Sequence, residues 1–215
     1  IVDATNLERN LYLTLQLLEL GRPVVLALNV MDALRAGGGA VDTAGLARAL
    51  GIPVVPVSAA LGEGLDALLD AAMQAAQGAP PDPWRALAPG AVQGCVRTLA
   101  RLLADEARGA GLPPVLAATQ WLNGESNLHA PEAARQAVTR MERETGLTRG
   151  EALPTARFAQ VDRLTRFFTL PQTLPGHRRS ARIDRVLTGR YTAYPAMAAL
   201  LGGVFYLTFH IIGPC

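Results

Sequence analysis

Val24-Val25-Leu26-Ala27-Leu28-Asn29-Val30-Met31-Asp32 opens on five apolar residues and turns polar at Asn29. A continuous apolar run of that length, preceded by Gly21 and Pro23, predicts a strand buried on both faces, as in parallel sheets. Upstream, Ile1-Val2-Asp3 reads as the end of another buried strand. Thr5 or Asn6 can then cap a helix whose Leu7, Leu11, Leu15 and Leu18 recur at helical spacing. Gly21 predicts the stop of that helix, and Pro23 bars its continuation. Downstream, a turn at Gly37, Gly38 and Gly39 leads to a short helix over 43–50. Pro53-Val54-Val55-Pro56-Val57 is the third strand candidate, weakened by its prolines. Leu65, Leu68, Leu69, Ala72 and Met73 mark a helix ending near Gly78. Strands alternating with helices over 1–78 predict an α/β fold, a parallel sheet with helical crossovers. Ligands gather at the carboxyl ends of such strands, where Asn29 and Asp32 stand.

An Asp in that crevice can accept hydrogen bonds from guanine N1–H and the exocyclic amine. The donor pair separates guanine from adenine, because the wrong base leaves a buried carboxylate unpaired. Asn29 can brace the loop and meet the purine edge. N-x-x-D alone is weak, since Asn and Asp are common turn residues that bond to their own backbone. Ser58-Ala59-Ala60 follows the next strand, and Leu61-Gly62-Glu63-Gly64-Leu65 precedes a helix. A loop of small residues lets a backbone N–H approach guanine O6. Two such loops on consecutive strands make guanine recognition the better reading than two ordinary turns.

Composition narrows the chemistry. The 215 residues are 50% hydrophobic and 18% charged, enough to bury a sizeable core and too apolar for a disordered chain. The net charge of +2 does not announce a nucleic-acid binder, and 5% aromatics disfavour stacking on single strands. All twenty basic residues are Arg, which excludes Schiff-base chemistry and the lysine of a phosphate-binding P-loop. Cys95 and Cys215 are too far apart in sequence for a metal-ligand spacing and too few for a disulfide scaffold.

After a Pro- and Gly-rich break at 78–83, the periodicity from Trp84 to about Phe168 is helical only. Val92, Cys95, Val96, Leu99, Leu102 and Leu103 form one apolar face, and further helices are expected over 133–145 and 156–168. This predicts an all-α region over 84–170, a small bundle or hairpin array, followed by a basic linker over 171–190. Residues 191–212 carry no Asp, Glu, Lys or Arg and as a helix would span about 33 Å, enough for a bilayer core. Arg178, Arg179, Arg182, Arg185 and Arg190 crowd the approach against the single acid Asp184. That asymmetry fits a transmembrane helix with its preceding residues in the cytoplasm, and contact of the arginines with anionic headgroups. Pro195, Gly202, Gly203 and His210 leave a buried core helix as the alternative. The absence of a secretory signal and of an initiator Met predicts an internal segment. His129 and His177 read as surface residues. His210 and Cys215, near the end of the apolar run, could ligate a metal in principle, but a lone pair is thin evidence.

The stretch Ile1-Val2-Asp3-Ala4-Thr5-Asn6-Leu7-Glu8-Arg9-Asn10-Leu11-Tyr12-Leu13-Thr14 resembles the segment after the third nucleotide motif of the bacterial ferrous iron transport protein B family. Asn29-Val30-Met31-Asp32 resembles its fourth guanine-nucleotide motif and Ser58-Ala59-Ala60 its fifth. Arg182-Ile183-Asp184-Arg185-Val186-Leu187-Thr188 is similar to the approach to its first membrane helix. The resemblance implies a partial Ras-like P-loop GTPase sheet over 1–78, a helical regulatory domain over 84–170 and one transmembrane helix over 191–212. It further implies GTP as ligand, Fe2+ as transported ion and the bacterial inner membrane as location, with residues 1–190 cytoplasmic. Asp32 would be the main guanine selector, Asn29 its loop partner and Ala59 the backbone donor beside Ser58. Val30 stands where GTPases at large carry Lys and this family commonly Met, and Ala60 replaces a longer residue. No G-x-x-x-x-G-K-[ST] occurs, so the phosphate loop and the Mg2+ ligands implied for the parent protein are expected before Ile1. A fragment without them is expected neither to hydrolyse GTP nor to hold the triphosphate tightly. A membrane-tethered guanine-nucleotide switch and a non-catalytic scaffold, both unrelated to iron, are the competing readings. An oligomer is compatible with all of them.

Overall fold

Leu26, Ala27 and Leu28 are buried as the apolar run predicts, and β2 (Leu26–Asn29) is the central strand of a three-stranded parallel sheet. The computed structural model describes residues 1–170, 193–206, 208 and 209. β1 (Val2–Asp3) lies on one side of β2, with Val2 opposite Leu28 and Asp3 opposite Asn29. β4 (Val54–Pro56) lies on the other, with Leu26 opposite Val54 and Leu28 opposite Pro56. The expected prolines are accommodated because β4 is an edge strand, where a missing N–H need not break a ladder. Pro53 still accepts from Leu26 N–H at 2.9 Å.

α1 (Leu7–Leu18) buries Leu7, Leu11, Leu15 and Leu18 against the sheet. Asn6 does not cap it. Instead Asp3 caps a 3-10 turn over Ala4–Asn6 by accepting from Thr5 N–H. α2 (Met31–Ala36) springs directly from β2, and α3 (Thr43–Leu50) is capped by Asp42. α4 (Leu65–Gln77) follows β4, but it contains no fully buried residue. Its Leu68 and Ala71 pack on Val25, Val55 and Val57, whereas Leu65, Leu69 and Met73, which with Leu68 and Ala72 mark the helix in the sequence, are exposed.

The helical part comprises α5 (Ala91–Leu102), α6 (Ala104–Gly109), α7 (Pro114–Asn123), α8 (Glu132–Thr145) and α9 (Arg149–Phe168). α5 presents Val92, Cys95, Val96 and Leu99 to a core shared with α7 and α8, while Leu102 is exposed rather than part of that face. α9 begins seven residues before its expected start at 156. A capping box in which Thr148 and Glu151 satisfy each other's backbone outweighs Pro154 within the helix. Hydrogen bonding to Thr148 holds the Glu151 carboxyl below the usual carboxylate range.

α9 serves two cores. Ala152, Leu153 and Ala156 join the helical core, and Val161 and Leu164 join the core between α1 and the sheet. Its end continues into β5 (Thr169–Leu170), antiparallel to β3 (Ala40–Val41). Where α1 meets α9, Glu19 and Arg157 form a buried ion pair: Nη2 donates to both carboxylate oxygens at 2.9 Å and Nε to Oε1 at 3.1 Å. Thr119 of α7 donates to Glu19 Oε2 at 3.0 Å.

The chain divides into two compact units, Ile1–Pro171 and Gln172–Cys215. In the second, α10 (Ala193–Tyr206) is described by itself. Its Tyr194, Met197, Leu201 and Phe205 are exposed. Among the described residues no helix is long and apolar enough to cross a membrane. The expected membrane helix over 191–212 lies only partly within the described residues. The basic linker over 171–190, with its five arginines, and His177, His210 and Cys215 lie outside them.

Candidate functional site

Two neighbouring parallel strands must end at the same rim of a sheet, and β2 and β4 do so. The chain leaves β2 at Asn29 and β4 just before Val57 and Ser58. Val57 N–H donates to Leu28 O at 2.8 Å and Met31 N–H to Val57 O at 3.3 Å, which carries the pairing past the strands into the loops. Two side chains then cross between them. Asp32 N–H donates to Ser58 Oγ at 3.0 Å, and Ala59 N–H donates to Asn29 Oδ1 at 3.0 Å. All four residues singled out from the sequence are therefore joined in one constellation.

Their environments differ in a useful way. Ser58 is fully buried, so its hydroxyl is a fixed strut. Asn29 and Asp32 are half-buried at the rim. The Asp32 carboxylate has no hydrogen-bond partner among the described residues, since only its backbone is engaged. Asn29 spends its oxygen on Ala59, which orients its Nδ2 as the free end of the amide. The Ala59 amide, expected to face guanine O6, is here committed to Asn29. The rim thus offers one unpaired anionic acceptor and one amide donor, a set suited to a planar edge carrying both donors and an acceptor.

Local backbone makes this possible at a cost. Val30 adopts φ 66 and ψ 31, the left-handed region. For a β-branched residue that conformation costs about 1–3 kcal/mol. It turns the chain from β2 straight into α2. The second loop is closed by Ser58 and Glu63, whose backbones exchange N–H···O bonds of 3.1 and 3.2 Å. Gly64 at φ 78 returns the chain to α4, and a Cβ there would stand 2.3 Å from Pro56 O. Arg35 on α2 reaches Glu63 Oε2 at 3.1 Å, a second clip between the loops. Both groups are half-exposed, so this pair contributes at most about 1 kcal/mol.

Sequence reasoning missed Glu63 and Arg35 as clips and Val30 as the turning point. Gly62 and Gly64 flanking Glu63 were the available signal for the first, and nothing in the residue types marked the other two. His129 is exposed. Cys95 is buried, and desolvation with the nearby Glu142 charge pushes its thiol up to about 11, leaving it protonated and unreactive at neutral pH. Among the described residues no group of three His, Cys, Asp or Glu side chains gathers to hold a metal, so Mg2+ has no assigned ligand in them.

Residues 1–72 match the family described as ferrous iron transport protein B. The Fe(2+) transporter FeoB of Salmonella typhimurium is 53% identical over 68 residues, 32% of this chain and 9% of that protein. An Fe(2+) transport protein A/Fe(2+) transporter FeoB fusion protein of Porphyromonas gingivalis is 53% identical over 70 residues, 33% of this chain and 8% of the relative. The match thus spans under a tenth of either relative's length. Among solved structures, a GDP-bound mutant of the S. thermophilus FeoB G-domain has a TM-score of 0.66 at 26% identity, covering 79% of this chain and 68% of that one. S. thermophilus NFeoB bound to GDP, AlF4− and K+ has a TM-score of 0.65 at 27% identity, covering 76% and 66%. The cytosolic domain of L. pneumophila FeoB reaches 0.60 at 26% identity, covering 79% and 66%. The first strand, the first helix and both rim loops lie inside the segment, residues 1–72, that matches the ferrous iron transport protein B family, and the likeness to solved structures of that family extends over about four fifths of the chain.

Proposed function

We propose that this chain supplies the base-reading half of a GTP-binding domain, with its helical extension, in a bacterial ferrous iron transporter. The observation that carries the reading is the interlock of the two rim loops, Asp32 N–H on Ser58 Oγ and Ala59 N–H on Asn29 Oδ1. It leaves the Asp32 carboxylate free to accept from guanine N1–H and the exocyclic amine. Asn29 Nδ2 serves the purine edge, and the Ala59 amide is shared between Asn29 Oδ1 and guanine O6. The solved neighbours with GDP or GDP, AlF4− and K+ support a guanine nucleotide as the ligand. Iron as cargo is supported by the names of the curated relatives.

The phosphate-cradling loop, whose motif these residues lack, is assigned to a preceding segment of the full-length protein. Two surfaces support that assignment: β1 is the sheet's other edge strand, and Leu65, Leu69 and Met73 form an exposed apolar stripe along α4 at four-residue steps. Residues 1–78 are read as the nucleotide-binding half and 84–170 as the helical regulatory domain, both on the cytoplasmic side of the inner membrane. A basic linker over 171–190 leads to a membrane-entering segment over 191–212. The uncharged α10, with its large exposed apolar side chains, supports lipid as its surroundings. Its 14 described residues measure about 21 Å, so the crossing depends on residues beyond them.

The test is nucleotide binding by the full-length protein. Asp32→Asn is expected to weaken GDP about a hundredfold, from the loss of charge-assisted hydrogen bonds, and to favour xanthosine diphosphate, whose altered edge suits an amide. Unchanged GDP preference removes Asp32 as the selector and the reading with it.

A further inference from the structure

A second concavity shares no residue with the guanine loops. It is a cavity of about 520 Å³ between α3, the turn over Pro83–Ala86 and α9, within the size range of small-molecule sites. Trp84, Leu87, Phe167 and Phe168 supply flat apolar walls. The Arg97 guanidinium sits 4.4 Å from the centre of the Trp84 ring and holds it in place. The charged residues lining the cavity are Arg85 and Arg163, with no carboxylate among them. Arg85 is occupied, donating to the carbonyls of Arg48 and Ala49 at the end of α3. Arg163 is exposed and has neither a hydrogen bond nor an ion pair among the described residues. The wall also holds Gln160, 7% exposed, whose Nε2 donates to Arg85 O at 3.0 Å. That bond fixes the amide's orientation and leaves Oε1 as a buried side-chain atom without a partner.

We propose that this cavity is a second ligand site, taking a small anion with a flat aromatic body, its rings against Trp84 and Phe167 and its anionic group on Arg163. The charge complementarity is one-sided: a cation would meet two arginines and no acid. Because α3 belongs to the core of the sheet and α9 to both cores, the occupant would touch both parts of the first unit. This site stands independently of the guanine reading.

The experiment is calorimetric titration of the full chain with naphthalene-2-carboxylate, and with neutral 2-naphthalenemethanol as the uncharged probe. Saturable binding of the carboxylate is expected, weakening with salt. Arg163→Gln, at an exposed position, should weaken the carboxylate about tenfold and leave the alcohol unchanged. Ala49→Phe, which fills the cavity from α3, should abolish binding of both probes. Absence of saturable binding up to about 5 mM, or equal carboxylate affinity in the wild type and Arg163→Gln, overturns the proposal.

Discussion

Replacing Arg157 by Met tests the energetic centre of the first unit. The Glu19 and Arg157 side chains are 3% and 5% exposed, so the substitution strands a carboxylate in the interior with Thr119 as its remaining donor. The surface near Tyr12 is preserved, because a Met side chain replaces much of the arginine stem. Breaking a buried pair by removing one partner costs about 3–5 kcal/mol, a large share of the roughly 5–15 kcal/mol that holds a domain folded. The pH dependence follows from burial. Desolvation already raises the Glu19 carboxyl above the usual carboxylate range, against the opposing pull of Arg157 and Thr119. Without Arg157 it rises further. A group whose folded pKa is raised contributes stability that is present below its unfolded value and lost as pH climbs through the folded value. Arg157→Met is therefore expected to be most destabilised at pH 8 and to recover as the pH falls toward the ordinary carboxylate range. Urea unfolding followed by Trp84 and Trp121 fluorescence, referred to wild type at each pH, measures this. The double variant Glu19→Gln with Arg157→Met should regain much of the loss and lose the pH dependence. A deficit in Arg157→Met below about 1 kcal/mol, or one that does not change with pH, refutes the reasoning.

Three further outcomes are expected. Ser58→Ala removes the buried acceptor of Asp32 N–H, and should cost about 1–3 kcal/mol in stability while weakening GDP binding in the full-length protein; an unchanged melting curve would contradict the strut. Gly64→Ala forces a Cβ against Pro56 O at φ 78, and should destabilise by about 2–4 kcal/mol in urea denaturation. For the membrane-entering segment, flotation of the full chain with phosphatidylcholine/phosphatidylglycerol vesicles should succeed, and Leu201→Asp should reduce it by roughly 2.5–3.5 kcal/mol of partition free energy; equal flotation of both would remove residues 191–212 from the bilayer.

Periodicity carried much of the fold. Four leucines at helical spacing place α1, and all four are buried. The apolar run before Asn29 marks the central strand, although pairing begins at Leu26 rather than Val24, where β4 begins at Val54 opposite it. Features that depend on distant partners were not legible. The β3–β5 ladder joins residues about 130 positions apart through two residues per strand, too short for alternation to show. The apolar residues of α4 announce a helix but not which side is covered, and Leu65, Leu69 and Met73 are exposed. α9 starts ahead of its expected position because Thr148 and Glu151 cap it upstream of Pro154, a reciprocal pairing that apolar periodicity does not register. At the candidate site, the loops were legible because consecutive parallel strands must end on one rim. The cross-loop bonds were not, since an Asn and a Ser announce hydrogen bonding without naming a partner. Nor does any local pattern announce that Glu19 meets Arg157, 138 positions away.

α9 is an unbroken rod of about 30 Å whose first half is rooted among the helices and whose second half is rooted beside the sheet. Such a beam leaves little room for the two halves of the first unit to drift apart independently. Torque applied at one end arrives at the other, and the Glu19–Arg157 rivet near its middle fixes the fulcrum. Any reorientation of the helical part must turn this girder as a whole, dragging along the short ladder that tethers its far tip to β3.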